Sequence, residues 1–168
     1  MKNKDTGSTG ELILVLYPNA YGMGYLLCES PKEIVNYGVA RIRPLFNDNY
    51  INRLHQYIHY YKPNLIILRN VEGSNTISKR IKSVVKDFVE HAEAENLPVF
   101  QYSRQQIKDI FGEFGGTKKY AIARQLTKWY PELLHRMPAF RNNCHAEHYQ
   151  MGVFDAFSLM LTHYYLID

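Results

Sequence analysis

The residues with chemistry to offer sit where apolar runs end or are interrupted. Tyr17 follows the unbroken run Leu12 to Leu16 and precedes Pro18-Asn19. A buried strand that ends in a glycine-bearing turn is a common mount for a catalytic carboxylate, and here that place carries a phenol. Arg69 ends a second apolar run, Leu65 to Leu68. Its guanidinium suits two partners, a phosphate or the carboxylate of Asp155. Asp155 lies within the apolar C-terminal segment, and His148 precedes it by seven residues, two helical turns. On a continuous helix the two share a face, and with Glu72 or Glu147 they would rebuild a single-metal site for Mg²⁺ or Mn²⁺. Cys144-His145-Ala146-Glu147-His148 offers zinc-ligand types without a second spaced pair, which reads as a surface loop and helix start instead.

Composition bounds what surrounds these residues. A chain of 168 residues with 46% hydrophobic and 21% charged residues is expected to fold as one domain, residues 11–168, behind a polar, disordered leader, residues 1–10. The net charge of +4 is a mild bias toward polyanions. No stretch approaches the roughly 20 apolar residues of a membrane span. Two cysteines, Cys28 and Cys144, are too few for a disulfide framework, so a soluble protein of a reducing cytoplasm is expected.

The elements that must position the polar residues follow from periodicity. Leu12 to Leu27 reads as strand, turn, strand, with Pro18, Asn19, Gly22 and Gly24 in the turn. Asn36 to Arg43 alternates as a third strand and completes an antiparallel meander. Asp48 is a plausible N-cap for a helix from Tyr50 to Tyr61. Leu65 to Leu68 reads as a central strand, Ser78 to Glu95 as a helix with one charged side, and Leu97 to Tyr102 as the fifth strand. Ser103 caps a helix through Ile107 and Ile110, which breaks at Gly112 to Gly116 and resumes from Lys119 toward Trp129. Pro131 and Pro138 frame a variable region, and a last helix runs from Ala146 to Leu166. The order βββαβαβαα makes an α/β protein with a mixed five-stranded sheet, three antiparallel strands and then two parallel ones, flanked by helices.

Five local pieces, in order along the chain, resemble RuvC-type Holliday junction resolvases of the RNase H-like superfamily. Leu16-Tyr17-Pro18-Asn19 with Gly24-Tyr25 resembles the family's opening strand and turn, and Pro63-Asn64-Leu65-Ile66-Ile67-Leu68-Arg69 its P-D-x-x-x-I-E strand. Leu97 to Tyr102 with Gln106-Ile107-Lys108 resembles its L-P-V-x-E-Y strand and following Q-V-K. Gly112 to Lys119 resembles its glycine-bearing loop ending in lysine, and Gly152 through Asp155-Ala156 to Thr162-His163 its C-terminal acidic segment.

The resemblance implies two Mg²⁺ ions on four carboxylate or equivalent positions, cleaving phosphodiesters by metal-activated water. Those positions fall on Tyr17, Arg69, Gly152 and Asp155, so only the last keeps its carboxylate. The resemblance therefore points to a catalytically degenerate member without a metal cofactor, with Tyr17 filling the vacated pocket, stacking on a base or hydrogen-bonding a phosphate. It aligns Lys108 and Lys119 with lysines that contact the DNA backbone and scissile phosphate, with Lys118, Arg124 and Lys128 on the same side of the chain. It places Glu72 where the family carries a base-inserting aromatic, and puts homodimerisation on the charged helix in question. The expected function is non-catalytic binding of branched or structured nucleic acid, DNA first, through Lys108, Lys119, Arg69 and Lys118. The alternatives are a metal-dependent endonuclease remodelled around Asp155 and His148, and a protein-interaction scaffold.

Overall fold

The computed structural model describes residues 10–139 and 148–167. Its sheet is built from β1 (Ile13–Asn19), β2 (Gly22–Ser30), β3 (Glu33–Arg41), β4 (Leu65–Asn70) and β5 (Val99–Ser103), in the spatial order β3-β2-β1-β4-β5. The first three strands pair antiparallel, and β1-β4 and β4-β5 pair parallel. Apolar β1 and β4 therefore stand at the centre, as unbroken apolar runs require when both faces are covered.

Strand alternation divides the core in two. Leu14, Leu16, Ile66 and Leu68 face the helices α1 (Asn47–Tyr61) and α2 (Lys79–Ala94). Ile13, Val15, Tyr17, Leu65 and Ile67 face the other layer: α3 (Arg104–Phe111), α4 (Lys119–Trp129) and α5 (Met151–Ile167). A short 3-10 segment, Pro131–Arg136, follows α4 and adds Leu133 to that core. Helix α5 is apolar nearly all round because it is packed between the sheet and the outer helices.

The elements match the sequence reading in kind and order, and differ at their ends. Strand β3 begins at Glu33 because its ladder with β2 runs back to the Ser30–Glu33 pair across a tight turn. Helix α1 begins at Asn47, with Phe46 at the cap position and no side-chain cap bond, so Asp48 lies in the first turn, where its charge favours the helix dipole. Ser78 caps α2 through Ile81 N, and Ser103 with Gln106 forms a reciprocal capping box on α3. Helix α5 starts at Met151, not Ala146. The leader apart from Gly10, and residues 144–147 of the Cys144–His148 zinc reading and of the expected start of the last helix, lie outside the described residues. Among the described residues no helix is long and apolar enough to cross a membrane.

Candidate functional site

Register brings the first two residues together. The parallel β1–β4 ladder pairs Leu16 with Leu68, so one step further along both strands come Tyr17 and Arg69, on the face that packs against α5. The Arg69 guanidinium carbon lies 4.2 Å from the Tyr17 ring centroid, and Arg69 Nη1 donates to the Pro18 carbonyl at 2.7 Å. A partly desolvated cation over an aromatic face contributes up to about 2 kcal/mol. On its other neighbour, β2, Tyr17 stands opposite Gly24.

Gly24 in turn receives α5. A Cβ built on Gly24 would fall 1.9 Å from the Gly152 carbonyl oxygen, so the first turn of the helix rests directly on the strand. One turn along, Asp155 is only 3% exposed, and its carboxylate accepts a charge-assisted hydrogen bond from Lys119 Nζ at 3.2 Å. Lys119 is the first residue of α4, with its side chain 32% exposed, and its ammonium lies 5.5 Å from the Tyr17 centroid. Tyr17 therefore lies near two cations, one of them held in a part-buried ion pair beside it. Burial is the main cause that raises the Tyr17 pKa, and the Asp155 charge adds to it; Lys119, Arg69 and Arg104 pull the other way.

The positions read from the sequence thus converge, with two corrections. Arg69 does not pair with Asp155: its guanidinium is committed to Tyr17 and Pro18, and Lys119 supplies the counter-charge instead. His148 does not share a helix face with Asp155, because α5 begins three residues after it. His148 stacks on Tyr149 at 4.7 Å and accepts from Gln150 N through Nδ1.

Lys108 is half-buried in the last turn of α3, Lys118 is exposed at the N-terminus of α4, and Glu72 is exposed in the loop after β4. Neither lysine forms an ion pair with a described residue. Arg104 is a residue that sequence reasoning passed over. It precedes Lys108 by four residues on α3, bonds the Thr117 carbonyl at 3.2 Å, and lies close enough to Tyr17 to act on its charge. That i, i+4 spacing after a Ser103 cap was legible in the sequence.

Two divalent ions on four oxygen ligands are what the resemblance implies here, and the residues present do not fit them. A hard dication needs anionic oxygens, whereas this cluster offers one carboxylate, already paired with an ammonium, and a guanidinium. Among the described residues no three His, Cys, Asp or Glu side chains are grouped to hold a metal ion.

The sheet order, with α5 crossing its face, defines an RNase H-like fold. The structure of Thermus thermophilus RuvC shares it with a TM-score of 0.60 and 15% identity, over 93% of this chain and 95% of that one. T. thermophilus RuvC in complex with a Holliday junction substrate gives 0.58 and 15%, over 93% and 94%. The yeast mitochondrial Holliday junction resolvase gives 0.59 and 13%, over 89% of this chain and 76% of that chain. No protein-family model and no curated protein matches the sequence. At these identities the likeness establishes a RuvC-like fold, and function has to be argued from the site.

Proposed function

We propose that this chain binds branched or structured nucleic acid, DNA first, through its phosphates, and does not cut it by the two-metal route. The observation that carries this reading is the Arg69 guanidinium held 4.2 Å over the Tyr17 ring. A cation stands where the resemblance needs a second carboxylate, and a phenol where it needs the first. The cluster has the character of a closed structural core, leaving the outer basic residues to meet the ligand. Lys108 and Lys118, unpaired with any described carboxylate, and Arg104 carry the phosphate contacts. Lys119 and Arg69 add positive potential from within the cluster. Support for a junction-type ligand comes from the similar structures, one of which is a RuvC with its Holliday junction substrate.

The test is a four-way DNA junction titrated with the full chain at several salt concentrations, and then incubated with Mg²⁺ or Mn²⁺. Affinity should fall steeply with salt, by a log–log slope near the number of phosphates engaged. A Lys108→Ala/Lys118→Ala double variant should bind more weakly and lower that slope by roughly 2. No strand scission should appear. Metal-dependent cleavage abolished by Asp155→Ala would replace this reading with an endonuclease, and absence of binding at low salt would leave the interaction scaffold.

A further inference from the structure

A cleft opens beside the Tyr17 cluster, where the β1–β2 turn, the end of β3 and the residues before α5 meet. It measures about 790 Å³ and is lined by Tyr21, Arg41, Arg43, Pro44, His148 and Tyr149, among others. Among the described residues no carboxylate lines it, and none pairs with Arg41 or Arg43. The aromatic wall is already organised: His148 and Tyr149 stack with their planes 27° apart, and the Arg41 guanidinium lies 5.3 Å from the Tyr149 centroid. Tyr21, at the turn, is 40% exposed and has no ring partner among the described residues.

Exposed rings next to guanidiniums that have no described carboxylate partner supply the two halves of a nucleotide site: a base stacks on the ring while arginine takes the phosphate. The ladder fixes the distance to the cluster. Gly22 pairs with both Asn19 and Arg41, two residues along β2 from the Gly24 that faces Tyr17, or roughly 7 Å at strand spacing. The cleft therefore adjoins the cluster on the same face of the sheet.

We infer that this cleft takes an unpaired nucleotide of a DNA strand, with its base on Tyr21 and its phosphate on Arg41 and Arg43. The inference rests on the nucleic-acid reading above and adds to it the element recognised, an unstacked base at a branch or bulge. It also supplies a base contact in a chain whose expected wedge position holds Glu72.

The full chain is titrated with a DNA duplex and with the same duplex carrying one unpaired 5-bromouracil, then irradiated and mapped by peptide mass spectrometry. The bulged duplex should bind about tenfold tighter than the plain one, and crosslink to Tyr21. Tyr21→Ala should remove that preference and the crosslink while leaving plain-duplex affinity within about twofold, and Tyr21→Trp should keep the preference. Arg41→Ala/Arg43→Ala should weaken binding of both duplexes, the bulged one more. Equal affinity for the two duplexes in the unmodified chain, a preference that survives Tyr21→Ala, or crosslinks confined to residues outside the cleft would overturn the base site and leave phosphate binding standing. Failure to bind either duplex while the four-way junction still binds would overturn the base site alone, and failure on all three would overturn both readings.

Discussion

Gly24 and Gly152 meet backbone to backbone, with the Gly152 Cα 2.9 Å from where a Gly24 Cβ would stand. This contact seats the first turn of α5 on β2, directly opposite Tyr17 in the β1–β2 ladder. It brings Asp155 and Lys119 into the same cluster. It also leaves the third expected carboxylate position closely packed, since a Cβ on Gly152 would stand 3.0 Å from Asn19 Nδ2 and 3.3 Å from Gly24 N.

Gly24→Ala should therefore be among the costliest single-methyl changes in the chain, because the atoms it strikes are backbone. A loss of about 2–3 kcal/mol is expected, or roughly 4–12 °C in Tm for a domain of this size. Gly152→Ala meets the Asn19 side chain first, at 3.0 Å, and as the second residue of α5 regains part of the roughly 1 kcal/mol that separates Gly from Ala in a helix interior, so its cost should stay below that of Gly24→Ala. Thermal melts of the two variants, run side by side, check the asymmetry; equal losses would mean that α5 does not rest on β2 in this way.

The Lys119–Asp155 pair gives a second test. Lys119→Met leaves a carboxylate that is 3% exposed without its cation and should cost about 2–3 kcal/mol. Adding Asp155→Asn removes the stranded charge and should restore much of the loss. A double-mutant cycle by urea denaturation should return a coupling of at least about 1 kcal/mol; additive effects would show that the pair is incidental.

Convergence of Tyr17, Arg69 and Asp155 can be tested by putting carboxylates back. In Tyr17→Asp/Arg69→Glu, three anions crowd one place, and the Tm measured in EDTA should drop. Mn²⁺ should raise it again, by about 2.7 kcal/mol of stability at a hundredfold excess over the dissociation constant. The unmodified chain should show no comparable response, since its two cations occupy that place. A variant indifferent to Mn²⁺ would mean the three side chains do not meet.

High pH should unfold the protein through protons held in the core. Burial pushes the Cys28 thiol from 9.0 up to about 12, and the Tyr57 and Tyr130 phenols from 10.0 up to about 12. In the unfolded chain these groups lose their protons earlier, so the folded state binds more protons in that window and stability falls as pH rises. Tm should hold steady up to about pH 9 and then decline through pH 12. Cys28→Ala should delay the onset toward pH 10, where the tyrosines begin to ionise. A Tm that stayed flat to pH 11 would argue against buried, neutral forms of these groups.

The sequence by itself determined the elements and their order. Unbroken apolar runs at Leu12 to Leu16 and Leu65 to Leu68, the Ser103–Gln106 capping box and the Gly112 to Gly116 break are local signals, and local physics reads them. The resemblance carried by its local motifs also put Tyr17 and Arg69 at two positions of one expected site. What only the tertiary structure decided was who pairs with whom. Arg69 had a plausible partner in Asp155 on charge alone, yet the ladder register lays its guanidinium over Tyr17, and the start of α4 delivers Lys119 to the carboxylate. Sequence spacing puts His148 two helical turns from Asp155, but the helix begins at Met151 and leaves His148 outside it. The Arg41–Tyr149 cleft was invisible for the same reason: its walls come from segments more than 100 residues apart, and only packing sets that distance.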